Sequence, residues 1–178
     1  MSHNNIYLIG PMGAGKSSIG LQLSKVSKLP YFDSDRELEK RAGVDIDWIY
    51  DIEGSGGLRE RERETLLYLM QQTPIVLSTG GGSVTIPEVY DMLKKTGIII
   101  YLKVSFKAQL QRTIRRPQGR PMLGGEDHRE KLALSNQERE PLYEALADLT
   151  YTASQLTPRA LAKKIWQDIK NHRNNLVE

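Results

Sequence analysis

Apolar residues along the chain gather in five short runs: Ile6 to Ile9, Tyr31 to Ser34, Ile75 to Ser78, Ile98 to Val104 and Leu149 to Thr152. Their lengths and their β-branched or aromatic content predict strands. The stretches between them carry apolar residues at helical spacing. Lys16 to Val26 places Ile19, Leu21, Leu23 and Val26 on one broad stripe. Leu58 to Met70, Ile86 to Leu93, Phe106 to Ile114 and Leu161 to Ile169 repeat the pattern with charged outer faces. For the last helix Thr157 supplies a cap and Pro158 a first helical residue. Such alternation predicts an α/β fold of three layers, a five-stranded parallel sheet flanked by helices on both faces.

No internal repeat, low-complexity tract or linker divides the chain, so residues 1–178 are expected to form a single domain. Two stretches read as irregular: Asp51 to Gly57, with three glycines, and Arg115 to Gly125, with two prolines, three glycines and three arginines. Ligands of open α/β sheets bind beyond the carboxyl ends of the strands, which makes both stretches candidate substrate and lid loops.

Composition narrows the chemistry. The chain has 178 residues, 39% hydrophobic and 26% charged, with no cysteine. Disulfides, thiolate metal sites and a cysteine nucleophile are therefore excluded. The longest apolar stretch, Ile98 to Leu102, is far short of the ~20 residues that a membrane-spanning helix needs, so no membrane association is expected. Ser2-His3-Asn4-Asn5 does not read as a secretory start, and the expected compartment is the cytoplasm. A net charge of +3 suits small anionic ligands better than nucleic acid.

Gly10-Pro11-Met12-Gly13-Ala14-Gly15-Lys16-Ser17 fits the pattern G-x-x-x-x-G-K-[ST], between a predicted strand and a predicted helix. Glycines let successive main-chain N–H groups curl toward phosphate oxygens, and the helix N-terminus adds its positive dipole end. Lys16 can then reach the β- and γ-phosphates, while the Ser17 hydroxyl can ligate Mg²⁺. The second strand runs into Asp33-Ser34-Asp35, and alternate strand residues point the same way, so both carboxylates could face the cleft. The competing reading of Asp35 is a cap for a helix from Arg36 to Arg41. Thr79 is followed by Gly80, Gly81 and Gly82, more glycines than a turn requires, which favours close approach of a ligand to the main chain.

The phosphate loop, Asp33-Ser34-Asp35, the Glu53-Gly54 to Arg59 segment, Thr79 to Gly82, Arg120-Pro121 and Arg139-Glu140-Pro141-Leu142-Tyr143 together resemble the shikimate kinase family, in order and spacing, from Ile6 to the last helix. The resemblance implies transfer of the γ-phosphoryl of ATP to the 3-hydroxyl of shikimate, with Mg²⁺, in aromatic amino acid biosynthesis. It implies a nucleotide site made by Gly13, Ala14, Gly15, Lys16, Ser17 and Ser18, with Arg112 and Pro158 on either side of the adenine. Lys16, Asp33 and Arg120 would be catalytic, Arg120 also closing over ATP from a lid over about residues 112–125. Ser17 and Asp33 would hold the metal, Asp33 through water, although Asp33 as a base stays open. Asp35, Arg59, Gly80, Gly81, Gly82 and Arg139 would bind shikimate, within a substrate-binding segment over about residues 35–60 and beyond it. Read without the family, Arg59 in Arg59-Glu60-Arg61-Glu62-Arg63-Glu64 fits a solvated helix face better than a binding site, and only the family pattern reverses that.

This chain departs from the family in two places. Ser18 stands where a threonine is frequent, and Leu156 where many members place an arginine or glutamine near the nucleotide, so that contact is expected to be missing or made by main chain. Lys103, Lys107, Arg112, Arg115, Arg116 and Arg120 form a basic run that could suggest nucleic acid, but Phe106 is the single aromatic among them, against that reading. The remaining rivals are a gluconate or nucleoside monophosphate kinase and a nucleotide-binding module without turnover. A small-molecule substrate, a monomer and no obligate protein partner are expected.

Overall fold

In a computed structural model, residues 5–114, 127–153 and 156–175 are described. The chain order is β1 (Asn5–Ile9), α1 (Lys16–Ser27), β2 (Tyr31–Asp33), α2 (Ser34–Ala42), α3 (Ile46–Met70), β3 (Val76–Ser78), a 3-10 turn (Ser83–Thr85) and α4 (Pro87–Thr96). It continues with β4 (Gly97–Lys103), α5 (Phe106–Ile114), α6 (His128–Leu146), β5 (Leu149–Thr152) and α7 (Pro158–Asn175). The five strands form one parallel sheet in the order β2-β3-β1-β4-β5.

Both faces of the sheet are covered, which is why its strands are apolar at nearly every position rather than at every second one. Strand alternation sends Tyr7, Ile9, Leu77, Ile99 and Tyr101 into the layer under α3, α4 and α6. It sends Ile6, Leu8, Val76, Ile98 and Ile100 into the layer under α1 and α7. Register keeps the layers aligned: Tyr7 lies opposite Leu77 on one side and Ile99 on the other. A smaller cluster of Leu38, Ile46, Ile49 and Leu58 ties α2 to the first half of α3. From β1 at the centre the chain builds β2 and β3 to one side, then β4 and β5 to the other. The crevice of such a sheet opens where the order reverses, at the carboxyl end of β1, where the loop Gly10–Ser17 begins.

The predicted strands and the single-domain α/β architecture hold, with strand ends within a residue or two. Three local expectations are corrected. Asp51 to Gly57 is not a loop: α3 runs through it and breaks only at Gly54 (φ 69°), where the left-handed conformation needs a glycine. Across that break Arg61 donates to both Glu53 carboxylate oxygens, at 2.8 and 2.6 Å. The strand does not continue to Asp35; β2 ends at Asp33, which caps α2 by accepting from Arg36 N at 3.5 Å. Asp33 therefore takes the capping role considered for Asp35. Helix α6 has no counterpart among the predicted elements, because Pro141 stands inside it and its surface is charged; Leu132, Tyr143 and Leu146 anchor its buried side. Thr157 and Pro158 do start α7, with Ala160 N donating to Thr157 Oγ1 at 3.3 Å.

Candidate active site

A cleft of about 710 Å³ lies over the carboxyl end of the sheet, lined at one end by Gly13 to Ser18 and by Asp33, Asp35 and Gly81. Gly10, Gly13 and Gly15 have φ of 135°, 77° and 93°, values that curl the main chain around the mouth of the loop. Gly15 is the N-cap of α1, and no side chain caps that helix. Ala14 is fully buried and contributes main chain only. Lys16 Nζ donates to the carbonyls of Gly10 (2.7 Å) and Pro11 (3.0 Å), so its ammonium rests on the loop's own rim.

Ser17 Oγ donates to Asp33 Oδ2 at 2.6 Å, and the Tyr31 hydroxyl reaches the same oxygen at 3.2 Å. Burial pushes the Tyr31 phenol up to about 12, so it remains a donor. Gly20 makes room for this arrangement: a Cβ there would stand 2.5 Å from Tyr31 Cε2 and 2.7 Å from Ser78 Oγ. Gly20→Ala should therefore destabilise the fold by about 1–3 kcal/mol, as overpacking does. Urea denaturation checks this, and an unchanged midpoint would mean that Tyr31 has slack to withdraw.

At the other end of the loop Arg112 Nη1 donates to Gly13 O at 2.7 Å. Arg112, Ala153, Leu156 and Pro158 line this part of the cleft. Leu156, 44% exposed, gives this part of the wall an apolar side chain. Arg120 falls within residues 115–126, outside the described residues, as does most of the segment read as a lid.

Opposite the loop, Gly80 to Gly82 turn beside Arg139. A Cβ on Gly81 would lie 3.7 Å from Arg139 Nη1, and one on Gly82 would lie 3.8 Å from Nη2. Those are ordinary contacts, so the two glycines leave open the space in front of the guanidinium. Gly80 is tighter, since a Cβ would stand 3.0 Å from Asp35 Oδ1. The turn is held by Gly80 N donating to Ser34 Oγ (2.8 Å) and by the Tyr143 hydroxyl donating to Gly81 O. Arg59, on α3, donates to Thr85 O at 2.6 Å, just beyond the turn. Arg139 Nε is buried and has no hydrogen-bond partner among the described residues, the kind of orphan that a ligand satisfies.

Of the residues expected from sequence, Gly13 to Ser18, Asp33, Asp35, Gly81, Arg112 and Pro158 line this cleft, Gly80, Gly82 and Arg139 gather beside Gly81, and Arg59 sits just beyond the turn. Glu62 was missed. It lies beside Asp35, Arg59 and Arg139, and burial followed by the Asp35 charge pushes its carboxyl up to about 7, against the pull of the two arginines. Protein crowding, then the Asp33 charge, pushes Asp35 up to about 6, although its carboxylate opens toward the cleft. The three-residue step from Arg59 to Glu62 puts both on one side of α3, but charge alternation hid that signal.

A phosphate loop at the switch point of a parallel sheet, with a lysine at the head of the following helix, defines a P-loop nucleotide-binding protein. The family model for shikimate kinase matches residues 12–170. Shikimate kinase of Coxiella burnetii (strain Dugway 5J108-111) is 46% identical, covering 97% of this chain and 97% of that protein. That of Legionella pneumophila (strain Corby) is 50% identical over 90% of this chain and 91% of the relative. A structure of shikimate kinase from Acinetobacter baumannii in complex with shikimate superimposes with a TM-score of 0.91 at 40% identity, covering 96% of this chain and 95% of the other. The chain belongs to the shikimate kinase family, whose members use ATP with Mg²⁺. No helix among the described residues is long and apolar enough to cross a membrane.

Proposed function

We propose that this chain transfers the γ-phosphoryl of ATP to the 3-hydroxyl of shikimate, giving shikimate 3-phosphate and ADP, in chorismate biosynthesis, as a cytoplasmic monomer with no obligate protein partner. One observation supports the residue assignment: the cleft that holds the phosphate loop reaches Gly81, beside which Arg139 carries a buried Nε donor with no partner among the described residues.

At the donor end, main-chain N–H groups of Gly13 to Ser18 hold phosphate oxygens, and Lys16 leaves its rim carbonyls for the β- and γ-phosphates. Arg112 and Pro158 flank the adenine, with Leu156 giving an apolar wall. Ser17 and Asp33 present only oxygen donors at hydrogen-bond distance from each other, a set that suits magnesium. When bound, the ion neutralises charge on the transferring phosphates. Asp33, oriented by Tyr31 and by Arg36 N, would help hold the ion through water. At the acceptor end Arg139 and Arg59 take the carboxylate of shikimate, for which a planar guanidinium offers paired donors. Asp35 accepts from ring hydroxyls, and Gly81 N–H donates. Phosphoryl transfer asks little of a base, so alignment and charge account for the chemistry.

Glu62 gives this site a pH dependence. As pH rises through about 7 its carboxyl ionises beside Arg59 and Arg139, opposite Asp35. The added charge competes with the acceptor carboxylate. Shikimate affinity should fall about three- to tenfold between pH 6 and 8, the size of one partly screened unit charge. Glu62→Gln should flatten the profile; a profile that keeps its slope in that variant assigns it to another group. For stability the sign follows from a raised carboxylate. The contribution is full below 4.5 and is lost as pH climbs through about 7, so the ligand-free protein should loosen slightly across that window.

The decisive experiment is ADP release by the purified protein with Mg²⁺ and ATP, given shikimate, gluconate or nucleoside monophosphates separately. Turnover with shikimate alone is expected. Turnover with another acceptor would keep the fold and overturn the pocket assignment, and ATP binding without any turnover would make the chain a nucleotide-binding module.

A further inference from the structure

An amide pair, buried at Gln109 and half-buried at Asn136, joins the helix that carries Arg112 to the helix that carries Arg139. Gln109 on α5 is 1% exposed. Its Nε2 donates to Asn136 Oδ1 at 3.3 Å, and its Oε1 accepts from Asn136 Nδ2 at 2.6 Å. Each amide stands one helical turn before an arginine: Arg112 follows Gln109 on α5, and Arg139 follows Asn136 on α6. The α5 end rests on the phosphate loop, since a Cβ on Gly13 would lie 3.6 Å from Gln109 O and 3.5 Å from Arg112 Cβ. The α6 end rests on the glycine turn through Arg139 and Tyr143. A second tie, Thr113 Oγ1 to His128 Nε2 at 2.9 Å, lies farther along α5.

Apolar side chains between two helices can slide by part of a turn at little cost, because dispersion and the hydrophobic effect have no direction. A reciprocal amide pair has one geometry. Moving it strands the buried Gln109 amide. Polar groups retained at a buried helix contact set register more reliably than they add stability.

We infer that the Gln109–Asn136 amide pair sets the register of α5 against α6, and with it the separation of Arg112 from Arg139, which makes both amides positioning residues for the two-substrate cleft. The inference rests on the reading of Arg112 as a nucleotide contact and Arg139 as an acceptor contact.

The test is the double variant Gln109→Leu with Asn136→Leu, which removes direction without leaving one amide alone. It should melt within a few degrees of the parent while kcat falls about tenfold or more, the scale of a sub-ångström to 1 Å misplacement, and KM rises for both substrates. The exchanged pair, Gln109→Asn with Asn136→Gln, keeps two facing amides and should recover part of kcat. Parental kcat and KM in the apolar variant would overturn the inference, as would equal loss of stability and activity with no recovery in the exchanged pair. A readout independent of turnover is available because the chain has no cysteine of its own. Spin labels at Lys107→Cys and Ala133→Cys should give one narrow distance that broadens or shifts in the apolar variant; an unchanged distribution would overturn the register role. A parent protein inactive on shikimate would defeat the functional reading and leave the label distances to decide the register.

Discussion

Lys16→Ala should lower kcat by about two to three orders of magnitude, the loss expected when one preorganised donor to developing charge is removed. The loop itself survives the change. Its shape comes from Gly10, Gly13 and Gly15, and Lys16 adds hydrogen bonds to Gly10 and Pro11 carbonyls at the rim. ATP should therefore still bind, more weakly, through main-chain N–H groups and the head of α1. Lys16→Arg should rescue little, because a planar fork replaces a compact point charge inside a loop sized for the latter. Steady-state kinetics at saturating shikimate and ATP check this. A kcat within threefold of the parent would remove the lysine from the transfer step.

Arg139→Ala should weaken shikimate binding while leaving ATP binding close to the parent value. Truncating one partner of a desolvated charge pair costs about 2–5 kcal/mol, and the lower bound corresponds to about 30-fold in Kd. The site gives a reason to expect the full effect: Arg139 lies beside Gly81 and Gly82, and its buried Nε has no hydrogen-bond partner among the described residues. The same change removes a cation that holds down the Glu62 carboxyl, so Glu62 should titrate higher still in the variant. Arg139→Lys should recover part of the affinity, since an ammonium cannot present two parallel donors. Calorimetry with each ligand separately checks the split. Equal losses for both ligands would mean that α6 had moved rather than that a contact had gone.

The two experiments probe parts of the site that differed in legibility. Everything Lys16 needs is local: the glycines, the lysine and the serine are consecutive, and their conformations follow from having no Cβ or from heading a helix. Arg139 could be singled out only through resemblance to a family. Its helix was invisible to periodicity because of Pro141, and it reaches Gly81 from a distant part of the chain. Arg59 and Glu62 were hidden differently, since a run of alternating charges reads as solvated surface until the turn at Gly80 is packed against it.

The sequence by itself determined the five strands, most of the helices between them, the single α/β domain and the phosphate loop, because apolar periodicity and glycine conformation act over a few residues. Tertiary structure alone decided that β2 stops at Asp33, that α3 breaks only at Gly54, and that Glu62 joins Asp35 and the two arginines. It also decided that Gln109 meets Asn136. Those outcomes depend on which helices the parallel sheet brings side by side, a non-local choice made by burying both of its faces.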